Sequence, residues 1–143
     1  MKKLFLLFTT SLILTACGGE KDVAPSAPQE SVAPKAVVEL TPAQRGAKIY
    51  VRCRACHTLE QGKRHSVGPN LWGVYGSKAG TKEGFAYSKA MKASGVIWDE
   101  ATMDAYLTKP AQFMPGNKMT FIGLKKQEDR DAVQVYMKDK TTP

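Results

Sequence analysis

Residues 50–57 read Tyr-Val-Arg-Cys-Arg-Ala-Cys-His, and no other part of the chain constrains the structure as strongly. Two thiols, Cys53 and Cys56, lie three positions apart, and His57 follows the second thiol directly. This spacing is that of c-type haem attachment. The two thiols add to the two vinyl groups of the porphyrin, and the adjacent imidazole then reaches the iron from the same side. The segment therefore predicts one covalent haem c with His57 as an iron ligand.

Two other uses of a cysteine pair fit the sequence less well. A thioredoxin-like redox pair follows a strand in a βαβ unit, whereas this pair follows a helical pattern and His57 has no part in that chemistry. A zinc site needs two more ligands. The chain offers only His65 besides His57, and His57 is poorly placed to share a metal with both thiols.

The second axial ligand determines what a haem can do, because an open position permits gas or peroxide chemistry and a filled one favours electron transfer. Met103 and Met137 lie on helical apolar stripes, where Met usually fills a core. Met114 and Met119 lie in a loop broken by Pro115-Gly116, from which a side chain can reach the iron, and position alone does not separate them. The candidates after the motif are His65, Met91, Met103, Met114, Met119 and Met137.

The domain as a whole closely resembles the class I cytochromes c of the mitochondrial type. The matching segments occur in order and with matching spacing over residues 40–140. The resemblance implies an all-α fold of four or five helices around one covalent haem. The matching segments are Cys53-x-x-Cys56-His57, Val67-Gly68-Pro69-Asn70-Leu71, Gly84-Phe85-x-Tyr87, Ile97-Trp98, Tyr106-Leu107 and Pro115-Gly116-x-Lys118-Met119.

The resemblance also implies roles for individual residues. In that family the Met of Pro-Gly-x-Lys-Met is the sixth iron ligand, which is Met119 here. The carbonyl that accepts the N–H of the axial imidazole belongs to Pro69. Tyr87 and Trp98 match residues that hydrogen-bond a buried haem propionate, and Tyr106 matches the Tyr that packs beside the Met ligand.

Several positions depart from the family pattern or take a lesser role. Ser77 stands where many relatives carry an Arg near the propionates, and Met91 stands where an Asn often shapes the polar side of the pocket. These two changes leave the reduction potential open. Asn117 replaces the usual Thr beside the Met ligand, His65 matches a structural His that braces a loop, and Met114 stays as the minor alternative to Met119.

Local signals predict where the helices lie. Thr41, Pro42 and Gln44 have the pattern of an N-cap, a first helical position and a capping box, so a helix begins there and runs into the cysteine motif. Further helices are predicted over Phe85–Ser94, from the cap Asp99 to Thr108 before Pro110, and over Lys125–Lys138.

The first and last helices are expected to cross, which is what the resemblance implies. Gly46 and Tyr50 would then meet Val133 and Tyr136. Glycine inside a helix costs about 1 kcal/mol relative to alanine. A close approach of the two backbones explains why Gly46 is there.

Residues 1–39 are predicted to lie outside the domain. Residues 1–16 combine Lys2 and Lys3 with 13 uncharged residues, too few for a bilayer span of roughly 20, so they are typical of an export signal. Leu14-Thr15-Ala16-Cys17 resembles a bacterial lipoprotein signal, which implies cleavage before Cys17 and its lipidation; an ordinary secretory peptide is the alternative. The proline-containing remainder of residues 17–39 predicts a flexible tether.

The positive charge belongs to the predicted haem domain, residues 40–143, with 17 basic and 9 acidic residues. Basic residues flank both ligand loops, which predicts docking to acidic faces of redox partners; a solvated surface that serves solubility is the alternative. Nucleic acid is not expected as a partner, because an exported haem protein does not meet it and no binding motif is present. The flanking residues are Lys48, Arg52, Arg54, Lys63, Lys118, Lys125 and Lys126.

The sequence thus predicts a monomeric carrier of single electrons, not an enzyme, between a respiratory reductase and a terminal oxidase or reductase. We expect it in the cell envelope, on the periplasmic side, held to a membrane by lipid on Cys17. The alternatives are a module fixed to one oxidase or reductase complex, a peroxidase-like haem enzyme in which Met119 dissociates, and a structural lipoprotein without redox function.

Overall fold

The computed structural model describes residues 39–142. The predicted export signal, Cys17 and residues 18–38 of the predicted tether lie outside the described residues. The helices are α1 (Pro42–Tyr50), α2 (Lys89–Ala93), α3 (Glu100–Thr108), α4 (Pro110–Phe113) and α5 (Gln127–Thr141). Within residues 39–142 no strand forms, and the one β-type pairing is an isolated antiparallel bridge between Lys78 and Ile97. The predicted all-α architecture is confirmed. None of the helices in this range has the length and apolarity that a membrane span requires.

The predicted capping residues begin α1 and α3. Gln44 donates its backbone N–H to Thr41 Oγ1 at 3.2 Å, and Thr41 donates its own N–H to Gln44 Oε1 at 3.0 Å, which completes a capping box. At α3 the backbone N–H of Thr102 donates to Asp99 Oδ1 at 2.7 Å. Both starts are fixed by neighbours three residues apart, which is why the sequence pattern predicts them correctly.

The predicted helix over Phe85–Ser94 is wrong at its start. Ser88 is the N-cap, because its Oγ accepts the backbone N–H of Met91 at 3.1 Å, and the helix begins at Lys89. The rings of Phe85 and Tyr87 lie before it and pack edge to face, with centroids 4.8 Å apart. Tyr87 N also donates to Phe85 O at 3.0 Å, so the backbone makes a tight turn here instead of a helix.

The ends of the later helices also differ from the prediction. Pro110 ends α3 as expected, but it is also the first residue of the short α4, which the sequence did not suggest. The last helix runs over Gln127–Thr141 instead of Lys125–Lys138. Its start is delayed because Arg130 Nη1 donates to the carbonyls of Leu124 and Lys125, at 2.9 and 3.1 Å, and holds them outside the helix.

Helices α1 and α5 pack against each other, as the resemblance implies. A Cβ atom on Gly46 would lie 2.0 Å from Ala132 O and 2.7 Å from Tyr136 Cβ, so only glycine permits this approach. The rings of Tyr50 and Tyr136 pack at 5.4 Å between centroids. Arg45 Nε donates to Asp129 Oδ1 at 2.9 Å across the same interface.

The buried Arg130 fastens α5 to α3. Its Nε donates to Asp104 Oδ1 at 2.8 Å. Two backbone carbonyls and Gln127 Oε1 are further acceptors, so each of the three guanidinium nitrogens donates a hydrogen bond, as the burial of a charge requires. The core on this side includes Met103, Leu107 and Met137, and it forms one wall of the cavity described next.

Candidate functional site

The turn that follows α1 holds the two thiols and the imidazole close together. Cys53 N donates to Tyr50 O at 2.8 Å, and His57 N donates to Cys53 O at 2.9 Å. Both cysteines are half-buried and neither is in a disulfide. Burial raises the pKa of the Cys53 thiol to about 11, so this thiol lacks the low pKa of a nucleophilic redox cysteine.

Cys53, Cys56 and His57 line one cavity of about 340 Å³. This volume is in the range of cofactor sites, which are mainly apolar with a few polar groups. Apolar side chains dominate its walls; Leu71, Val74, Met103, Leu107 and Phe121 are examples. The cationic lining residues are Arg52, Lys78, Lys82 and Lys118.

The imidazole of His57 is held in one orientation. Its Nδ1 lies 2.7 Å from Pro69 O, so Nδ1–H donates to this carbonyl and Nε2 keeps its lone pair. Burial lowers the pKa of His57, and the hydrogen bond to Pro69 offsets only part of that effect. The ring is therefore neutral at pH 7, as a metal ligand must be.

Gly68 shapes the space around this ring. A Cβ atom at this position would lie 2.4 Å from His57 Cε1 and 2.8 Å from Nε2. Any side chain would push the imidazole out of place. The Gly68-Pro69 pair thus both makes room for His57 and orients it.

Asn117 organises the loop that carries Met119. Its Oδ1 accepts the backbone N–H of Met119 at 2.8 Å, and its Nδ2 donates to Pro110 O at 2.9 Å and to Met114 O at 2.8 Å. The Tyr106 hydroxyl lies at the outer limit of a hydrogen bond, 3.5 Å from Asn117 Oδ1. Sequence reasoning treated Asn117 only as a mild departure, although Asn two residues before a backbone N–H in a Pro-Gly turn is a known turn signal.

The structure separates the candidate iron ligands after the motif into two groups. Met114 is buried in the core and does not line the cavity. His65 does not line it either, because Asn70 N donates to His65 Nδ1 at 2.9 Å and His65 Nε2 donates to Glu83 O at 2.8 Å. His65 thus braces two loops, as the sequence predicts. The methionines that line the cavity are Met91, Met103, Met119 and Met137, and only Met119 lies on a loop.

Three aromatic residues singled out from the sequence, Tyr87, Trp98 and Tyr106, also line the cavity. The rings of Trp98 and Tyr106 pack at 5.0 Å between centroids. Burial raises the pKa of Tyr106 to about 12 and raises that of Tyr87. Both hydroxyls therefore stay protonated at pH 7.

The wall near Tyr87 contains a residue that sequence reasoning missed. Ser77 and Met91, the two noted departures, line the same cavity, and Ser77 Oγ donates to Val74 O at 2.7 Å. Lys82 lines it as well, and its Nζ donates to Trp72 O. Nothing in the local sequence distinguishes Lys82 from the other lysines, since its position depends on a contact ten residues away.

The competing uses of the cysteine pair do not fit the geometry. Within residues 39–142, no group of three or more His, Cys, Asp or Glu side chains is placed to hold a metal ion. The pair follows helix α1, and the βαβ setting of a thioredoxin-like site is absent from this part of the chain.

The lining fits a covalent haem. Two thiols and an oriented neutral imidazole lie next to each other in the chain, a thioether side chain lies on a loop at the same cavity, and the walls are mainly apolar. Because Gly68 has no side chain, the His57 ring keeps its place at the cavity.

Comparison with known proteins agrees with this chemistry. The profile described as "Cytochrome c" matches residues 43–140. The chain is 50% identical over 98 residues to a cytochrome c of Chlamydomonas reinhardtii, covering 68% of this chain and 88% of that protein. It is 50% identical over 92 residues to a cytochrome c2 of Rhodoblastus acidophilus, covering 64% and 86%. For a cytochrome c of Kluyveromyces lactis the identity is 46% over 95 residues, covering 66% and 86%.

Proposed function

This chain belongs to the cytochrome c family, whose members are electron carriers that bind one covalent haem c, and on that premise we propose a more specific function. It is a membrane-tethered monomer that passes single electrons from a respiratory reductase to a terminal oxidase or reductase. The family consists of carriers and not enzymes, so the peroxidase-like alternative is set aside. The proposal rests on the shared cavity of Cys53, Cys56, His57 and Met119.

In this proposal Cys53 and Cys56 would bond haem c covalently, and His57 and Met119 would be the ligands of its iron. Haem c held in this way would supply a one-electron iron couple. The Pro69 carbonyl occupies Nδ1–H of His57, which leaves Nε2 as the ligating atom. The proposal takes Met119 and not Met114 because Met119 lines the cavity and Met114 does not.

The chain holds both proposed ligands before any partner arrives. Pro69 fixes the imidazole, and Asn117 fixes the backbone of Met119 through a hydrogen bond of 2.8 Å. Ligands held by such supporting contacts need little rearrangement when the charge on the iron changes. Tyr106 and Trp98 pack together on the cavity wall.

Partners are proposed to dock at the mouth of the cavity. Val67 lines the cavity although it is 78% exposed, and Ile122, next to the lining residue Phe121, is 82% exposed. Exposed apolar side chains surrounded by charge are typical of an interaction surface. The basic rim consists of five exposed residues: Arg52, Arg54, Lys118, Lys125 and Lys126.

The docking proposal is tested by the rate of electron transfer to a purified terminal oxidase at increasing salt. We expect the rate constant for association to fall with ionic strength, because screening weakens attraction to an acidic partner. Arg52→Gln combined with Lys125→Gln should lower the rate at low salt and flatten its salt dependence. Lys140→Gln, an exposed lysine outside the cavity lining, is the control and should change the rate little. A wild-type rate indifferent to salt would contradict the docking proposal.

The membrane tether is proposed from Cys17 and the following 22 residues, all of which except Glu39 lie outside the described range. A flexible chain of that length averages roughly 26 Å end to end, which keeps the domain near a membrane surface while letting it turn toward different partners. Cys17→Ala should move the protein from the membrane to the soluble fraction of the cell envelope and remove the lipid mass. Ser31→Ala is the control and should stay membrane-bound. Retention of Cys17→Ala on the membrane would refute lipid anchoring at this residue.

A module fixed to one complex is the alternative to a mobile carrier. Extraction in mild detergent distinguishes them. A mobile carrier separates from its reductase and oxidase, whereas a fixed module co-purifies with one of them in constant ratio.

A further inference from the structure

Lys82 differs from the other cations at the cavity. Arg52, Lys78 and Lys118 are exposed, whereas Lys82 is half-buried. Its Nζ donates to the carbonyl of Trp72. In the range 39–142, the ion pairs that form do not include Lys82. A partly desolvated ammonium therefore faces the cavity with a neutral partner only.

The burial of this ammonium has an energetic consequence. Desolvation lowers the pKa of Lys82, and nothing described here offsets that effect with a negative charge. A charge that leaves water is tolerated best when an opposite charge meets it. The position of Lys82 therefore favours an anionic ligand group in the cavity.

Among the described residues, the other polar side chains of the lining do not supply a second partly buried charge. Tyr87 lines the cavity beside Lys82, and the Lys82 backbone partly offsets the rise that burial causes in the pKa of Tyr87. Ser77 is neutral, and its hydroxyl proton is taken by Val74 O. Lys78 is exposed to solvent, where its charge is screened.

Haem is itself an anion at neutral pH, because it carries two propionate carboxylates. We propose that the ammonium group of Lys82 is the charge partner of one haem carboxylate. It supplies the positive charge that Ser77 does not. The inference rests on the haem-binding function and extends it to a residue that sets the reduction potential.

The proposal predicts the direction of two effects. Lys82 neutralises a carboxylate near the iron. An uncompensated carboxylate stabilises ferric iron more than ferrous iron, so its neutralisation favours the ferrous state. Without Lys82, the carboxylate stabilises the ferric state and the reduction potential falls. Without Lys82 the pKa of the carboxylate also rises, so the reduction potential should fall further as pH increases through that pKa.

The experiment measures the midpoint potential of the holoprotein from pH 5 to pH 8 by spectroelectrochemistry. For Lys82→Gln we expect a fall of up to about tenfold in the reduction equilibrium constant, which is about 59 mV for one electron. A slope with pH that the wild type lacks should appear as well. Lys82→Arg should keep the wild-type potential and slope. Lys78→Gln is the control, removing an equal charge from an exposed position of the same lining, and should produce only a small, pH-independent shift.

Other titratable groups must be told apart from the carboxylate. Those lining the cavity are Arg52, Cys53, Cys56, His57, Lys78, Tyr87, Tyr106 and Lys118. Each of the variants Lys82→Gln and Lys78→Gln leaves the other titratable lining residues in place. A slope of the potential with pH that appears only in Lys82→Gln therefore belongs to the carboxylate.

The result that overturns the proposal is a lower thermal stability of Lys82→Gln with an unchanged potential and slope, since bracing of Trp72 alone predicts that pattern. If Lys82→Gln does not mature, NMR titration of the wild-type haem carboxylates gives the answer. The proposal expects one carboxylate to titrate well below the ordinary range, and two ordinary titrations refute it. Intact mass and absorption spectra, taken first, show whether haem is bound, so a failure of haem binding is distinguishable from a failure of the Lys82 assignment.

Discussion

Replacement of Asn117 by alanine tests how the proposed Met119 ligand is held. The change removes hydrogen bonds to Met119 N, Pro110 O and Met114 O, at 2.8, 2.9 and 2.8 Å. At about 1 kcal/mol for each bond, the closed loop loses about 3 kcal/mol relative to an open one. This is about a hundredfold change in the equilibrium between them. Because all three bonds join residues within 110–119, their loss destabilises the closed conformation of this loop more than the rest of the fold.

Imidazole binding to the ferric protein measures this opening directly. With Met119 as the proposed iron ligand, imidazole would compete with it for the iron, so the apparent affinity for imidazole should rise by about a hundredfold in Asn117→Ala. The Met–iron charge-transfer band reports the same displacement. Asn117→Asp keeps the acceptor for Met119 N and loses both donors, so it should be intermediate. An imidazole affinity of Asn117→Ala equal to that of the wild type would refute the role of Asn117 as the clamp of this loop.

Three further substitutions test the packing and the caps. Gly46→Ala puts a methyl group 2.0 Å from Ala132 O, so we expect a loss of about 3 kcal/mol in denaturant unfolding. Gly68→Ala puts one 2.4 Å from His57 Cε1, and should alter the absorption spectrum while the intact mass still shows one haem. For Asp99, the Thr102 N–H lowers the carboxyl pKa. The Asp99 cap therefore stabilises α3 at pH values above the pKa of Asp99 in the unfolded chain, and this stabilisation is lost as pH falls through the lower pKa of the folded protein. In that acidic range, the thermal midpoint of Asp99→Asn should vary less with pH than that of the wild type.

Sequence patterns predicted the features that depend on near neighbours. The Thr41 and Asp99 caps are formed by residues three positions apart, so the pattern contains the whole interaction. The cysteine motif is likewise one continuous turn. For Gly46, glycine inside a helix indicated a close backbone approach, and the partner helix came only from the resemblance to class I cytochromes c, because the contact is with distant residues.

Features that depend on distant partners were missed or misplaced. The start of α2 was predicted too early because Phe85 and Tyr87 pack into the cavity wall, which no local propensity records. The delayed start of α5 depends on Arg130, whose guanidinium captures two carbonyls that precede the helix. Lys82 gave no signal at all, since the carbonyl it reaches is ten residues away and across a loop.

The pairing of α1 with α5 has a consequence for the order in which the protein is made. Arg45 and Asp129 meet although 84 residues separate them, so this interface forms only after the end of the chain has been synthesised. Helix α1 has nine residues, and isolated helices shorter than about 12 residues are barely stable in water. Cys53 and Cys56, which follow α1 directly, therefore stay accessible until the last helix is available. We expect the period in which thioether bonds can form easily to end when residues 127–141 pack against α1.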